Sequence, residues 1–160
     1  VTGFVIHALP VAGGILALAP LPGSAGRYDA DLEHLHDWRP ALVVSMTTLA
    51  EMTASGAAGL GADLQESGTR WAHVPVEDYG VPDPEVTEIW EAAAQAALLA
   101  LQGAGRVLIH CRGGCGRSGM AALRLMIEAG EDPDAALIRL RTVRACAVET
   151  EAQMIWARTV

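Results

Sequence analysis

Apolar residues along this chain fall in short, nearly continuous runs that alternate with longer stretches spaced by three and four, as strands interleaved with helices do. Phe4 to Leu9 and Ile15 to Ala19 read as two strands meeting at the Gly13-Gly14 turn. Leu21 to Tyr28, broken by Pro22, Gly23 and Gly26, reads as a loop, and Asp29 to Trp38 as a short helix. Ala41 to Met46 is a third strand. Thr47 or Thr48 can cap a short helix after it, and Ala58 to Glu66 forms another. Trp71 to Val76 is a strand leading into the polar loop Glu77 to Asp83. Asp83-Pro84 then supplies an N-cap and a first-turn proline. The helix it starts has Val86, Ile89, Trp90, Ala93, Ala97, Leu98 and Leu101 on one face, and Gly103 and Gly105 stop it. Arg106 to Ile109 is a further strand, and Gly119 to Ala129 is a helix apolar nearly all round. Asp132-Pro133 opens a helix to about Arg144, and Thr150-x-x-Gln153 offers a capping box for a terminal one. The order predicts one α/β domain over residues 1–160, a central, mostly parallel sheet flanked by helices.

Composition narrows the function. A chain of 160 residues that is 51% hydrophobic can bury a core, which excludes a disordered chain. A net charge of −8 argues against a broad nucleic-acid surface, which needs a basic stripe. The cations Arg112, Arg117, Arg124, Arg139, Arg141 and Arg144 crowd the last third, as a local anion site in an acidic protein would require. The apolar stretch from Phe4 to Ala19 holds His7, Pro10 and two glycines, so paired strands explain it better than a membrane span or a leader. A monomer is expected.

The chemistry lies in residues 109–119, Ile-His-Cys-Arg-Gly-Gly-Cys-Gly-Arg-Ser-Gly, between a buried-looking strand and a buried-looking helix. A Gly-rich turn there aims backbone N–H groups into one concave space, with the positive end of the helix dipole behind them. Arg112, Gly113, Gly114, Cys115, Gly116 and Arg117 would cradle a tetrahedral oxyanion, with the Arg117 guanidinium gripping two oxygens. Cys111 at the base is a nucleophile whose thiolate those donors favour, and Ser118 can hydrogen-bond the sulfur as it departs.

This run resembles the His-Cys-x5-Arg-Ser/Thr signature of the protein tyrosine phosphatase superfamily, through His110, Cys111, Arg117 and Ser118. Rhodanese-type sulfurtransferases use a shorter loop, and arsenate reductases of the low-molecular-weight type carry theirs near the N-terminus. The resemblance extends, over roughly residues 15–158, to kinase-associated phosphatases of the dual-specificity class. It implies a metal-free, cofactor-free enzyme that passes through a cysteinyl-phosphate. His110 would orient the loop or tune the thiolate, Asp78 on Val76 to Asp83 would act as general acid, and Gln153 would help place the hydrolytic water. Glu149 departs from the pattern, since related chains often carry an amide there. The short chain implies a shallow pocket, open to phosphoserine and phosphothreonine as well as phosphotyrosine in a phosphorylated protein. Two alternatives stand beside this reading. One is a phosphatase for phosphoinositides, other small phosphates or RNA 5′ ends, disfavoured because Arg112 is the loop's only extra cation. The other is a phosphate-recognition module without turnover.

Further expectations concern side chains near and away from the loop. Cys111 must stay reduced, which points to a cytoplasmic protein. Cys115, in the same loop, is a candidate disulfide partner for Cys111, while Cys146 reads as a small core filler. Trp71 and Trp90 read as core, and His34 and His36 lack partners at metal-ligand spacing.

Overall fold

The structure, a computed structural model, describes residues 3–160. Five strands form one sheet in the order β1-β2-β5-β3-β4: β1 (His7–Val11), β2 (Gly14–Ala19), β3 (Leu42–Ser45), β4 (Arg70–His73) and β5 (Arg106–His110). β1 and β2 pair antiparallel across a tight turn, and every other pairing is parallel. Ala12 and Gly13 make that turn at φ 53 and 90, the left-handed geometry that suits the twist of a hairpin.

Parallel strands covered on both faces must be apolar at successive positions. β5 shows why. Val107 and Ile109 point to one core with Leu16, Leu18, Leu42 and Val44, while Leu108 points to the other with Ala17, Ala19 and Val43. The first face is covered by α4 (Thr87–Gln102), α5 (Gly116–Glu128), α6 (Pro133–Val143) and α7 (Glu151–Arg158). The second is covered by α1 (Tyr28–Trp38), α2 (Leu49–Ala54) and α3 (Leu60–Glu66), through Leu35, Met52, Leu60 and Leu64. β5 is therefore central, and the Gly-rich loop leaves its carboxyl end. No helix among the described residues is long and apolar enough to cross a membrane.

Three expectations need correction. β4 ends at His73, although Val74 N and Val76 N still donate to Ser45 O and Met46 O (2.8 and 3.3 Å), so the chain runs on beside β3 as a looser arm. Asp83-Pro84 opens a 3-10 turn over Pro84–Val86, and the Asp83 side chain makes no capping bond. Asp132, the sister device, does cap: its Oδ2 accepts from Ala135 N at 3.0 Å. Finally, α5 starts at Gly116 and not at Gly119. That shift puts Arg117 and Ser118 on the first helical turn, with fixed directions.

Candidate active site

Peptide planarity explains how the loop after β5 becomes an anion cradle. The carbonyl of Arg112 accepts from Leu21 N at 3.1 Å, and that of Cys115 from Gly119 N at 2.8 Å. The carbonyls of Gly113 and Gly114 accept from Arg144 Nη2 and Nε at 2.9 and 3.1 Å. Each trans peptide points its N–H opposite to its carbonyl, so the amides of Gly113, Gly114, Cys115 and Gly116 turn away from those outer partners, into the cavity. Gly114 is required there: its φ is 74, and a Cβ would stand 2.7 Å from the Ala19 backbone. The cavity has a volume of about 240 Å³, and Asp78, Cys111, Arg112, Cys115, Arg117 and Glu149 are among its lining residues.

Cys111 sits at its base, 3% exposed. Its Sγ lies 3.2 Å from Ser118 Oγ, close enough for the hydroxyl to donate to a thiolate. Behind it, Trp71 Nε1 donates to Ser45 Oγ at 2.8 Å. The Ser45 hydroxyl proton is then left for His110 Nε2, and His110 Nδ1–H donates to the Cys111 carbonyl at 3.2 Å. This chain needs a neutral imidazole. Burial, with the Arg117 charge nearby, pushes His110 down from 6.5 to about 4. Trp71 is thus only partly the core residue expected: its indole packs over Gly61 and its N–H starts this relay.

A pH consequence follows. The unfolded chain takes up a proton at His110 below about 6.5, while the folded one resists until about 4. Stability from this residue is complete above the first value and is lost as pH falls through the second. The thermal midpoint should decline across that window, and decline less in His110→Gln, whose side chain does not titrate. Equal slopes in both proteins would remove His110 as the cause.

Arg117 is 1% exposed and bound on several sides. Glu51 takes it bidentately, Nη1 to Oε1 at 2.6 Å and Nη2 to Oε2 at 2.8 Å, and Val76 O accepts from Nη1 at 2.8 Å. Burial opposes its charge, but Glu51, the Cys111 sulfur and Asp78 outweigh that and raise it above the ordinary guanidinium range. Among the described residues its buried Nε has no partner, which suits a phosphate oxygen in the cradle. Glu51 itself comes from the capping box of α2, where Thr48 Oγ1 accepts from Glu51 N and Glu51 Oε1 accepts from Thr48 N. One carboxylate caps a helix and aims the guanidinium.

Asp78 lines the same cavity, 40% exposed, with Oδ1 3.3 Å from Arg117 Nη2. Gln153 lies deeper. It closes the α7 capping box with Thr150, and its Nε2 donates to Gly80 O at 3.2 Å, strapping the Asp78 loop to α7. Among the described residues, no group of three or more His, Cys, Asp and Glu side chains converges to hold a metal.

The cysteines depart from expectation. Cys115 is bonded to Cys146, with Cα atoms 5.1 Å apart, and Cys111 is the free thiol. Cys146 is therefore no core filler, and Cys115 is not paired with Cys111. The bond pins residues 144–149 to the outside of the loop, helped by Val148 N, which donates to Cys115 O at 3.4 Å. Val148 itself stands at φ 68, a costly position for a β-branched residue, where Arg141 Nη2 holds its carbonyl at 3.0 Å. Sequence reasoning missed Glu51 and Ser45, and placed Arg144 only among the cations of the last third, without its hold on the loop carbonyls. The Thr48-x-x-Glu51 spacing marks Glu51, but it signals a cap.

Residues 18–160 match the family model described as PTP-SAK, the Swiss Army Knife protein DSP-PTPase phosphatase domain. The chain belongs to this family of cysteine-based, dual-specificity-type phosphatase domains. Mouse (Mus musculus) cyclin-dependent kinase inhibitor 3 is 32% identical over 135 residues, 81% of this chain and 63% of that protein, so the chain spans less than two thirds of that relative. The crystal structure of kinase associated phosphatase with its catalytic cysteine replaced by serine has a TM-score of 0.84 at 25% identity, covering 98% of this chain and 93% of that one. The active form of Tk-PTP has a TM-score of 0.73 at 26% identity, covering 94% and 92%.

Proposed function

We propose that this chain acts as one catalytic domain that hydrolyses phosphotyrosine, and also phosphoserine and phosphothreonine, in phosphorylated proteins. The observation that carries this is the convergence of Cys111, Ser118, Arg117 and Asp78 on one phosphate-sized cavity. Phosphate enters with its oxygens on the loop amides and on Arg117, leaving its phosphorus above the Cys111 sulfur. The thiolate attacks in line, the P–O bond breaks, and Asp78 gives its proton to the departing oxygen. The same carboxylate, now ionised, takes a proton from the water that attacks the cysteinyl-phosphate. The Cys111 sulfur leaves with Ser118 donating to it. A cytoplasmic setting meets the need for a reduced Cys111.

The names of its relatives, a kinase inhibitor and a kinase associated phosphatase, point the same way, toward a phosphorylated protein partner. Rapid acid quench during turnover of a labelled aryl phosphate should leave the label on the peptide holding Cys111, with and without a chelator present. Turnover with no label there, or turnover that chelator abolishes and a divalent metal restores, would overturn the mechanism. Phosphopeptides should be better substrates than phosphoinositides or 5′-phosphorylated RNA, and the reverse ranking would move the assignment to those phosphates.

A further inference from the structure

A second cavity, of about 630 Å³, adjoins the phosphate cavity of about 240 Å³, and phosphoryl transfer makes no use of it. Arg112 and Gly113 line both, so the two share a wall at the phosphate loop. Phe4, from the segment before β1, and Pro20, directly after β2, give the second cavity apolar lining. Arg112, Arg144 and Asp31 bring charge to it, together with His7 and Ser24. A concave space with apolar walls and a few placed polar groups is how ligand sites are built.

The charges in this cavity are unequal. Arg144 is held in place, its Nη2 and Nε spent on the carbonyls of Gly113 and Gly114. Asp31 is 7% exposed, and its Oδ2 accepts from Gly23 N at 2.9 Å. Arg112 is exposed, and no ion pair among the described residues uses it. Burial and the Arg144 charge hold His7 below its usual 6.5, so it is neutral at pH 7. Two guanidinium groups thus face one carboxylate, and one positive charge is left unmatched. It falls to Arg112, the cation whose head group is free to move.

We propose that this cavity is a specificity subsite for an acidic side chain, aspartate or glutamate, that flanks the phosphoresidue of a protein substrate, with Arg112 taking its carboxylate. This rests on the phosphatase function proposed above. An extended peptide rises about 3.3 Å per residue, so a side chain two or three residues from the phosphoresidue reaches the neighbouring cavity. Its methylenes lie on the apolar wall while its carboxylate meets the unmatched charge. A second phosphate fits less well. It would bring nearly two negative charges to a surface that already holds Asp31, and part of that charge would stay unpaired.

The test is steady-state kinetics of the full chain on phosphotyrosine peptides in which one glutamate is moved through the three residues on either side, in an otherwise alanine background. At one position glutamate should lower KM roughly tenfold against alanine and leave kcat unchanged, because a contact away from the reacting atoms is equally strong in the bound and transition states. Arg112→Ala should lose this gain and Arg112→Lys keep part of it. Ser24→Glu, at an exposed loop position that lines the cavity, should cancel the unmatched charge and remove the gain as well. A thermal melt shows first that each variant is folded. No gain from glutamate at any position, or an equal gain in Arg112→Ala, overturns the proposal. A larger gain from phosphoserine than from glutamate at the same position also overturns it and makes the cavity a second phosphate site. Nitrophenyl phosphate, too small to enter both cavities, reports the phosphatase function separately. Its turnover without a glutamate effect sinks the subsite alone, and no turnover of it by the parent protein sinks that function.

Discussion

Glu51→Ala is expected to lower kcat/KM by roughly 10²-fold on every substrate, although Glu51 lies 66 residues from Arg117 in sequence. The variant leaves the Arg117 guanidinium with Val76 O and Asp78 as its remaining partners. Two losses follow. The cation can turn further toward Asp78, tightening the ion pair it already makes with the proton donor and tilting the clamp off the phosphate oxygens. Removing one partner of a fully buried pair costs about 3–5 kcal/mol. Glu51 is 19% exposed, so the expected loss of stability is about 2–3 kcal/mol, part of it from the capping box. Glu51→Gln should keep the cap and one hydrogen bond and fall between parent and Ala. The pair also has an acid signature. Burial works against the Glu51 charge, but hydrogen bonds from Arg117 and Thr48 overcome it and hold the carboxyl at about 2, below its usual 4.5. Its contribution is full above about 4.5 and is lost as pH falls toward 2, below the window of His110. Steady-state kinetics with a thermal melt decide it: parental kcat/KM in a folded Glu51→Ala would show that the loop alone orients Arg117.

The sequence carries the phosphate cradle almost completely, because its parts are contiguous. Cys111, the glycines, Arg117 and Ser118 occupy one strand–loop–helix unit whose geometry follows from local rules. What surrounds the cradle depends on which strands are neighbours. Glu51 and Ser45 reach the loop because β3 pairs with β5, Ser45 opposite His110, and no spacing in the sequence announces that register. Local signals at these positions were genuine but incomplete. Thr48-x-x-Glu51 announces a helix start and conceals the ion pair, as Thr150-x-x-Gln153 announces another start and conceals the strap to Gly80. Cys146 sits among alanines and valines and so reads as apolar filler. Its bond appears only when the chain returns from α6 over the loop. Asp83-Pro84 is the converse, a motif that promised a side-chain cap and delivers only a backbone turn.

That difference between the two loop aspartates sharpens the remaining prediction. Asp78→Ala is expected to slow the chemical step by roughly 10²–10⁴-fold on alkyl and peptide phosphates. Asp78 lines the cavity and its carboxylate rests on Arg117, so closure over a bound phosphate needs only a small movement of the Val76–Gly80 arm. Both ends of that arm are held, Val76 O by Arg117 and Gly80 O by Gln153, which keeps the motion local. The proton matters in proportion to the basicity of the leaving oxygen. A nitrophenolate departs readily without help, so the deficit should shrink on that substrate, while an alkoxide should show it in full. KM should change little, because phosphate is gripped by the amides and Arg117. Asp83 is exposed, makes no side-chain cap and does not line the cavity. Asp83→Ala should therefore keep its turnover and shift stability by no more than about 0.5 kcal/mol. A pH–rate profile completes the assignment: the limb at high pH, where the acid loses its proton, should vanish in Asp78→Ala and persist in Asp83→Ala. If the limb vanishes in Asp83→Ala instead, with kcat collapsing on alkyl phosphates, the proton comes from Asp83 and the Val76–Gly80 arm has no part in the chemical step.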